Sequence, residues 1–176
     1  EVRSLDTQRR PVLTTNRVAG SNSTFDARGQ QTSITFVGTD GHPTNSMSGY
    51  ATLRSTYDEH GRLIEETYFD PLGKPTVSTS GAARVRYQRD TFGREVRMSM
   101  FGIDGKPAVH AQQGHSELVR EFDSRGNMIR ERFLGPDGKP VVNNQGIAGW
   151  NGVYDDAGRR TEEHYIGLDG KPAVGY

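Results

Sequence analysis

The stretch Tyr57–Pro75, YDEHGRLIEETYFDPLGKP, decides the fold. Tyr57 and Asp58 lead into Gly61 through a four-residue connection. An aspartate at the start of such a connection accepts backbone hydrogen bonds, and a glycine at its end supplies positive φ. Beyond Gly61 the residues Ile64, Glu66 and Tyr68 mark every second position, the period of a half-buried strand. A second turn follows at Gly73. Pro75 then has no N–H to donate, which suits a strand start or an edge. The stretch reads as tight turn, strand, second turn and short extended segment.

The same reading recurs along the chain. A first column of glycines, Gly29, Gly61, Gly93, Gly126 and Gly158, has steps of 32, 32, 33 and 32. A second, Gly41, Gly73, Gly105, Gly138 and Gly170, always follows 12 residues later. A third holds Gly49, Gly81, Gly114 and Gly146. The extra residue of the 33 step falls between Gly105 and Gly114, where Ala111-Gln112-Gln113 is polar. Phe25-Asp26, Phe122-Asp123 and Tyr154-Asp155 match Tyr57-Asp58, while Arg89-Asp90 departs. Pro43, Pro107, Pro140 and Pro172 match Pro75. Pro11 stands 32 residues before Pro43, so residues 1–16 read as the degenerate end of a preceding repeat. The array itself runs over 17–176, with units near 17–48, 49–80, 81–113, 114–145 and 146–176.

Glycine and proline recur too often for long helices. A second strand precedes each first turn, as in Leu53 to Tyr57 and Trp150 to Tyr154. The expected fold is all-β: tandem hairpins of about 32 residues in one long twisted or spiral sheet. A propeller and a closed barrel are the alternatives. One hairpin cannot stand alone in water, and stacked hairpins can share an apolar face. The final copy stops at Gly175-Tyr176, so the array reads as a piece of a longer one, or as one whose ends meet other chains.

Composition narrows the function. Hydrophobic residues are 32% of the chain, which predicts a thin core. Twenty-two basic residues balance 22 acidic ones, which argues against a nucleic-acid partner. No cysteine is present, which excludes disulfides and thiolate chemistry. No apolar run reaches transmembrane length, so no membrane insertion is expected. The Asp-Gly turns each offer one aspartate, too few for calcium. Gly102–Lys106 lacks phosphate-loop spacing. The five histidines read as isolated surface residues. Neither a serine elbow nor a convergent carboxylate pair occurs, so no enzyme, no cofactor and no metal are expected.

Two features invite functional readings. Glu66, Glu131 and Glu163 share a column on the apparently apolar face. They read either as a row binding cations or sugars, or as structural partners of arginines such as Arg54, Arg86 or Arg120. Trp150 reads either as an aromatic platform for a ligand or as a core residue, since its siblings are Leu and Val.

The segment Tyr57–Glu66 resembles the tyrosine–aspartate repeat of the RHS family, as do Phe122–Asn127 and Tyr154–Arg159. The resemblance implies hairpins wound into a spiralling β-shell of large secreted or surface bacterial proteins, some of which enclose a toxin domain. The recurrent Asp-Gly-Lys-Pro element and the 32-residue unit depart from that pattern. The expected function is a non-catalytic module for binding or scaffolding in a larger bacterial secreted or envelope protein. Its partner would be a protein, a polysaccharide or further copies meeting through exposed strand edges. A shell fragment that houses a toxin is the alternative, and a glycan-active enzyme the third.

Overall fold

The computed structural model describes residues 1–173. The final residues of the last copy, 174–176, lie outside them. Contacts divide the chain into two compact units. The first is Glu1–Val85 with Gly102–Lys106, and the second is Arg86–Phe101 with the residues from Pro107 onward. In the first unit lie β1 (Val2–Arg3), β2 (Gly20–Phe25), β3 (Gln31–Val37), β4 (Thr52–Tyr57) and β5 (Leu63–Phe69). The division falls within β6 (Arg84–Arg89). The second unit holds β7 (Glu95–Phe101), β8 (Glu117–Phe122), β9 (Met128–Leu134), β10 (Gly149–Tyr154) and β11 (Arg160–Ile166). Strand order follows chain order in one open sheet of 11 strands, which sets aside the barrel and the separate blades of a propeller. Among the described residues there is no helix.

The first turns follow from their own sequence. In the Asp58 turn, Asp58 Oδ1 accepts the N–H groups of His60 (2.9 Å) and Arg62 (2.8 Å), and the Gly61 N–H donates to the Asp58 carbonyl. Asp58 Oδ2 accepts Arg62 Nε at 2.7 Å. Asp90 with Arg94, Asp123 with Asn127 and Asp155 with Arg159 repeat the pattern, so the copy that lacks the aromatic residue keeps its turn. The glycines of the first two columns all have positive φ, as do those of the third. Gly61 sits at φ 80 and Gly126 at φ 93, where a Cβ collides with the following carbonyl. Arg9 and Arg17 stand 32 residues before Gly41 and Gly49, at glycine positions, and hold φ 62 without that freedom.

The hairpin ladders carry a bulge that the alternating pattern does not announce. Thr56 pairs with Glu65 and Tyr57 with Leu63, which leaves Ile64 as the extra residue. Thr32, Ile129 and Thr161 are extra in the same way. These residues, three past the first glycine, are therefore bulge positions. Pro43, Pro75, Pro107, Pro140 and Pro172 each close an isolated bridge to the last residue of the long strand before them, as Pro75 does with Phe69.

A column of small residues runs through the core. Ala19, Ala51, Ala83, Ser116 and Ala148 are almost fully buried, each two residues past the third-column position. Each lies where a hairpin meets the preceding one. In the first unit the Phe36 N–H donates to the Ala51 carbonyl at 2.8 Å, and Tyr68 to Ala83 at 3.0 Å. In the second unit Met100 donates to Ser116 at 2.9 Å, and Phe133 to Ala148 at 3.0 Å. A side chain larger than alanine would have to share this crossing with a neighbouring main chain. That geometry explains how a chain poor in large apolar residues packs at all.

Candidate functional site

Cross-strand register decides which side chains share the face of the glutamate column. Leu53 pairs with Tyr68 and Ser55 with Glu66 in the first unit. Leu118 pairs with Phe133 and Arg120 with Glu131 in the second. Residues paired directly across a ladder lie on the same face. Arg54, paired with Thr67, therefore faces the other way, and its guanidinium lies 4.3 Å from the Phe69 ring centre. Arg86 likewise lies over the Phe101 ring, at 5.7 Å. Arg120, the third of the arginines expected to answer the glutamates, does so.

The three glutamates have different partners. Glu131 accepts Arg120 Nε at 2.8 Å and Trp150 Nε1 at 3.3 Å. Arg120 also binds Glu95, so two carboxylates flank one guanidinium. Glu163 pairs with Arg160 at 2.7 Å. Glu66 takes the hydroxyl of Tyr68 as a hydrogen-bond donor. Burial first, then the Glu66 charge, pushes the Tyr68 phenol well above its ordinary range, and Tyr50 shifts the same way for the same reasons. The three rings Phe36, Tyr50 and Tyr68 pack in series, with centres 5.9 and 4.8 Å apart.

Trp150 is 9% exposed. Arg160 lies over its ring at 5.5 Å. The indole thus belongs to the apolar column of Leu53, Val85 and Leu118, with little of it open to a ligand.

In the second unit a depression of about 400 Å³ opens over this face. Met98, Leu118 and Phe133 supply its apolar lining, and His110, His115, Arg120 and Glu131 its polar lining. His115 overturns the expectation of surface histidines, for it is 4% exposed and stacks on Phe133 with centres 5.3 Å apart. His42, His60 and His164 are exposed as expected. The column of His115 also holds Tyr50, Ala82 and Ile147, an apolar set that was a legible signal of burial. Burial of the ring, then the charge of His110, holds the His115 imidazole below the usual histidine value.

A second depression, of about 410 Å³, lies among the first turns of the first unit. Its polar groups already serve the fold. Arg28 donates to the Glu59 carbonyl, Gln30 to the Gly61 carbonyl, and the Tyr57 hydroxyl to the Gln31 carbonyl at 2.8 Å. In the second unit the Tyr154 hydroxyl reaches the Met128 carbonyl at 3.0 Å. The tyrosine of the Tyr–Asp pair is therefore a clamp on the preceding hairpin. Where phenylalanine replaces it, Arg94 of the preceding hairpin covers the Phe122 ring at 4.8 Å and donates to the Asp123 carbonyl at 3.1 Å. Among the described residues, no group of three His, Cys, Asp or Glu side chains gathers to hold a metal.

No protein-family model matches the chain, and no curated protein matches it significantly. Among solved structures it is similar to the Tc holotoxin pore of Photorhabdus luminescens, at 14% sequence identity and a TM-score of 0.46. The match covers 89% of this chain and 8% of that one, so the chain spans a small fraction of the neighbour's length. A likeness of that degree carries no inference about what this chain does.

Proposed function

We propose that the chain is a non-catalytic scaffold segment of a larger bacterial secreted or envelope protein, a hairpin array that grows by accepting further strands. One observation carries the reading. Phe36, Tyr68, Met100 and Phe133 all donate their N–H to a small residue of the following hairpin. Tyr165 stands in the same column as these donors. The joint between copies is therefore main chain to main chain, and such a joint takes a strand whatever chain supplies it. The carboxylates of the second unit favour a scaffold over a catalyst, since Glu131 and Glu163 are engaged by arginines. The Tyr–Asp clamps fit an RHS-like architecture.

The test is sedimentation velocity over a concentration series with the wild-type chain and Tyr165→Pro. The Tyr165 carbonyl bonds Ala173, so the main-chain groups of this residue point away from β10. Proline there removes the outward donor and leaves the β10 ladder intact. Association of the wild type, with a Tyr165→Pro chain that stays monomeric at an unchanged melting temperature, supports the proposal. A monomeric wild type, or equal association of both, removes it.

A further inference from the structure

The third turns of the array have one acceptor side chain each at their start. Asn143 Oδ1 accepts the Gln145 N–H at 2.9 Å, and Ser46 Oγ accepts the Ser48 N–H at 3.3 Å. Ser78 and Thr14 stand at the same position in their copies. His110 takes it in the copy that carries the inserted residue. There His110 Nδ1 accepts both the Gln112 and the Gln113 N–H, each at 3.2 Å. Two donors aimed at Nδ1 use the lone pair there, and a proton on that atom would displace both. Of the five side chains at this position, only the imidazole exchanges acceptor for donor on gaining a proton.

The surroundings give that proton no compensating acceptor at Nδ1. The His115 ring lies 5.7 Å from that of His110, centre to centre. His115 is buried, and its Nδ1 has no hydrogen-bond partner. The Gln113 carbonyl favours its charged form, too weakly placed to count as a hydrogen bond. From β9, Glu131 faces the pair and favours a positive charge, but its oxygens already hold Arg120 and Trp150. From β8, Arg120 faces the same depression and opposes one.

We propose that the His110–Gly114 turn is a pH-responsive latch. Acidification turns His110 Nδ1 from acceptor to donor, frees the Gln112 and Gln113 amides, and loosens the loop that borders the His115–Phe133 face. The second unit then presents a closed turn at neutral pH and an open one in mild acid. The turns begun by Ser46, Ser78 and Asn143 stay closed under both conditions.

Amide hydrogen exchange on the full chain, expressed as protection factors from pH 7.5 to 5, tests this. In the wild type the Gln112 and Gln113 amides lose about tenfold protection, the equivalent of one hydrogen bond of net strength. The loss is absent in His110→Asn, which installs the side chain of the next third turn, and in His110→Ser, the second variant. It persists in His115→Tyr, which installs the residue of the Tyr50 position. Flat protection in the wild type overturns the latch. So does a loss that survives in both His110 variants, or one that vanishes in His115→Tyr.

Discussion

Replacing Gly126 isolates the contribution of backbone conformation to a turn. Its φ of 93 lies where L-residues are strained. A Cβ added there meets only Arg94 Nη1, at 3.9 Å, an ordinary contact. Strain of about 1–2 kcal/mol per residue is expected for alanine in the left-handed region. Against it stands a gain of about 0.4–1 kcal/mol from a stiffer unfolded chain. The net loss for Gly126→Ala is therefore about 1 kcal/mol, or roughly 2–4 °C in Tm for a chain of this size. Valine, β-branched, loses more, and asparagine, which tolerates the region, loses less. Arg9 gives the opposite sign, because it holds φ 62 on an exposed turn and glycine relieves it. Urea titration followed by far-ultraviolet circular dichroism measures all four variants. The expected order of stability is Arg9→Gly at or above wild type, then Gly126→Asn, Gly126→Ala and Gly126→Val. A Gly126→Val chain as stable as wild type would falsify the turn assignment, since a Cβ there meets no distant group closer than Arg94 Nη1 and the strain is that of the backbone.

Three further outcomes are expected. Ser116 is fully buried with its hydroxyl unpartnered at a position where its siblings are alanine, so Ser116→Ala should raise stability by about 1–3 kcal/mol; a loss in the same urea titration would mean the hydroxyl has a partner. Phe133→Ala should lower stability by about 3–5 kcal/mol, since the ring is buried against His115; a change near zero in calorimetry would place the ring outside the core. The Tyr68 phenol is raised above its ordinary value of 10.0 by burial and by Glu66. Its contribution is thus complete below about pH 10 and lost as pH rises toward the folded value. Tyr68→Phe should flatten that part of the stability profile, and an alkaline decline identical in both chains would refute the assignment.

The turns were legible because their chemistry is local. Asp58, Gly61 and Arg62 bond one another within five residues, and the glycine spacing repeats that bonding along the chain. The proline bridges were legible for the same reason. The partners of the glutamate column were legible only for Glu131, whose Arg120 was among the expected arginines. They depend on register across the hairpin, and the bulge at Ile64 fixes that register without leaving a residue type as its mark. A one-residue error moves Arg54 from the Phe69 face to the Glu66 face. The burial of His115 was written in its apolar column, but an imidazole is read by its chemistry before its position. The alanine column leaves little mark in the sequence, because small residues rarely announce a core.

That column and the Tyr–Asp clamp together account for a folded array with so little apolar bulk. Small residues at each crossing let the main chains of adjacent hairpins approach, and the approach makes main-chain hydrogen bonds the connection between copies. Tyr57 and Tyr154 then tie the far ends of their own hairpins to the preceding ones through a carbonyl rather than through a packed ring. Contacts of this kind depend little on which side chains occupy the faces. The face positions are correspondingly free to differ, and they do: Ile34, Glu66, Met98, Glu131 and Glu163 all stand in one column. A frame held by its backbone, with faces free to vary, can be lengthened copy by copy. It can also carry one departure such as His110, because the acceptor that opens that turn lies within it.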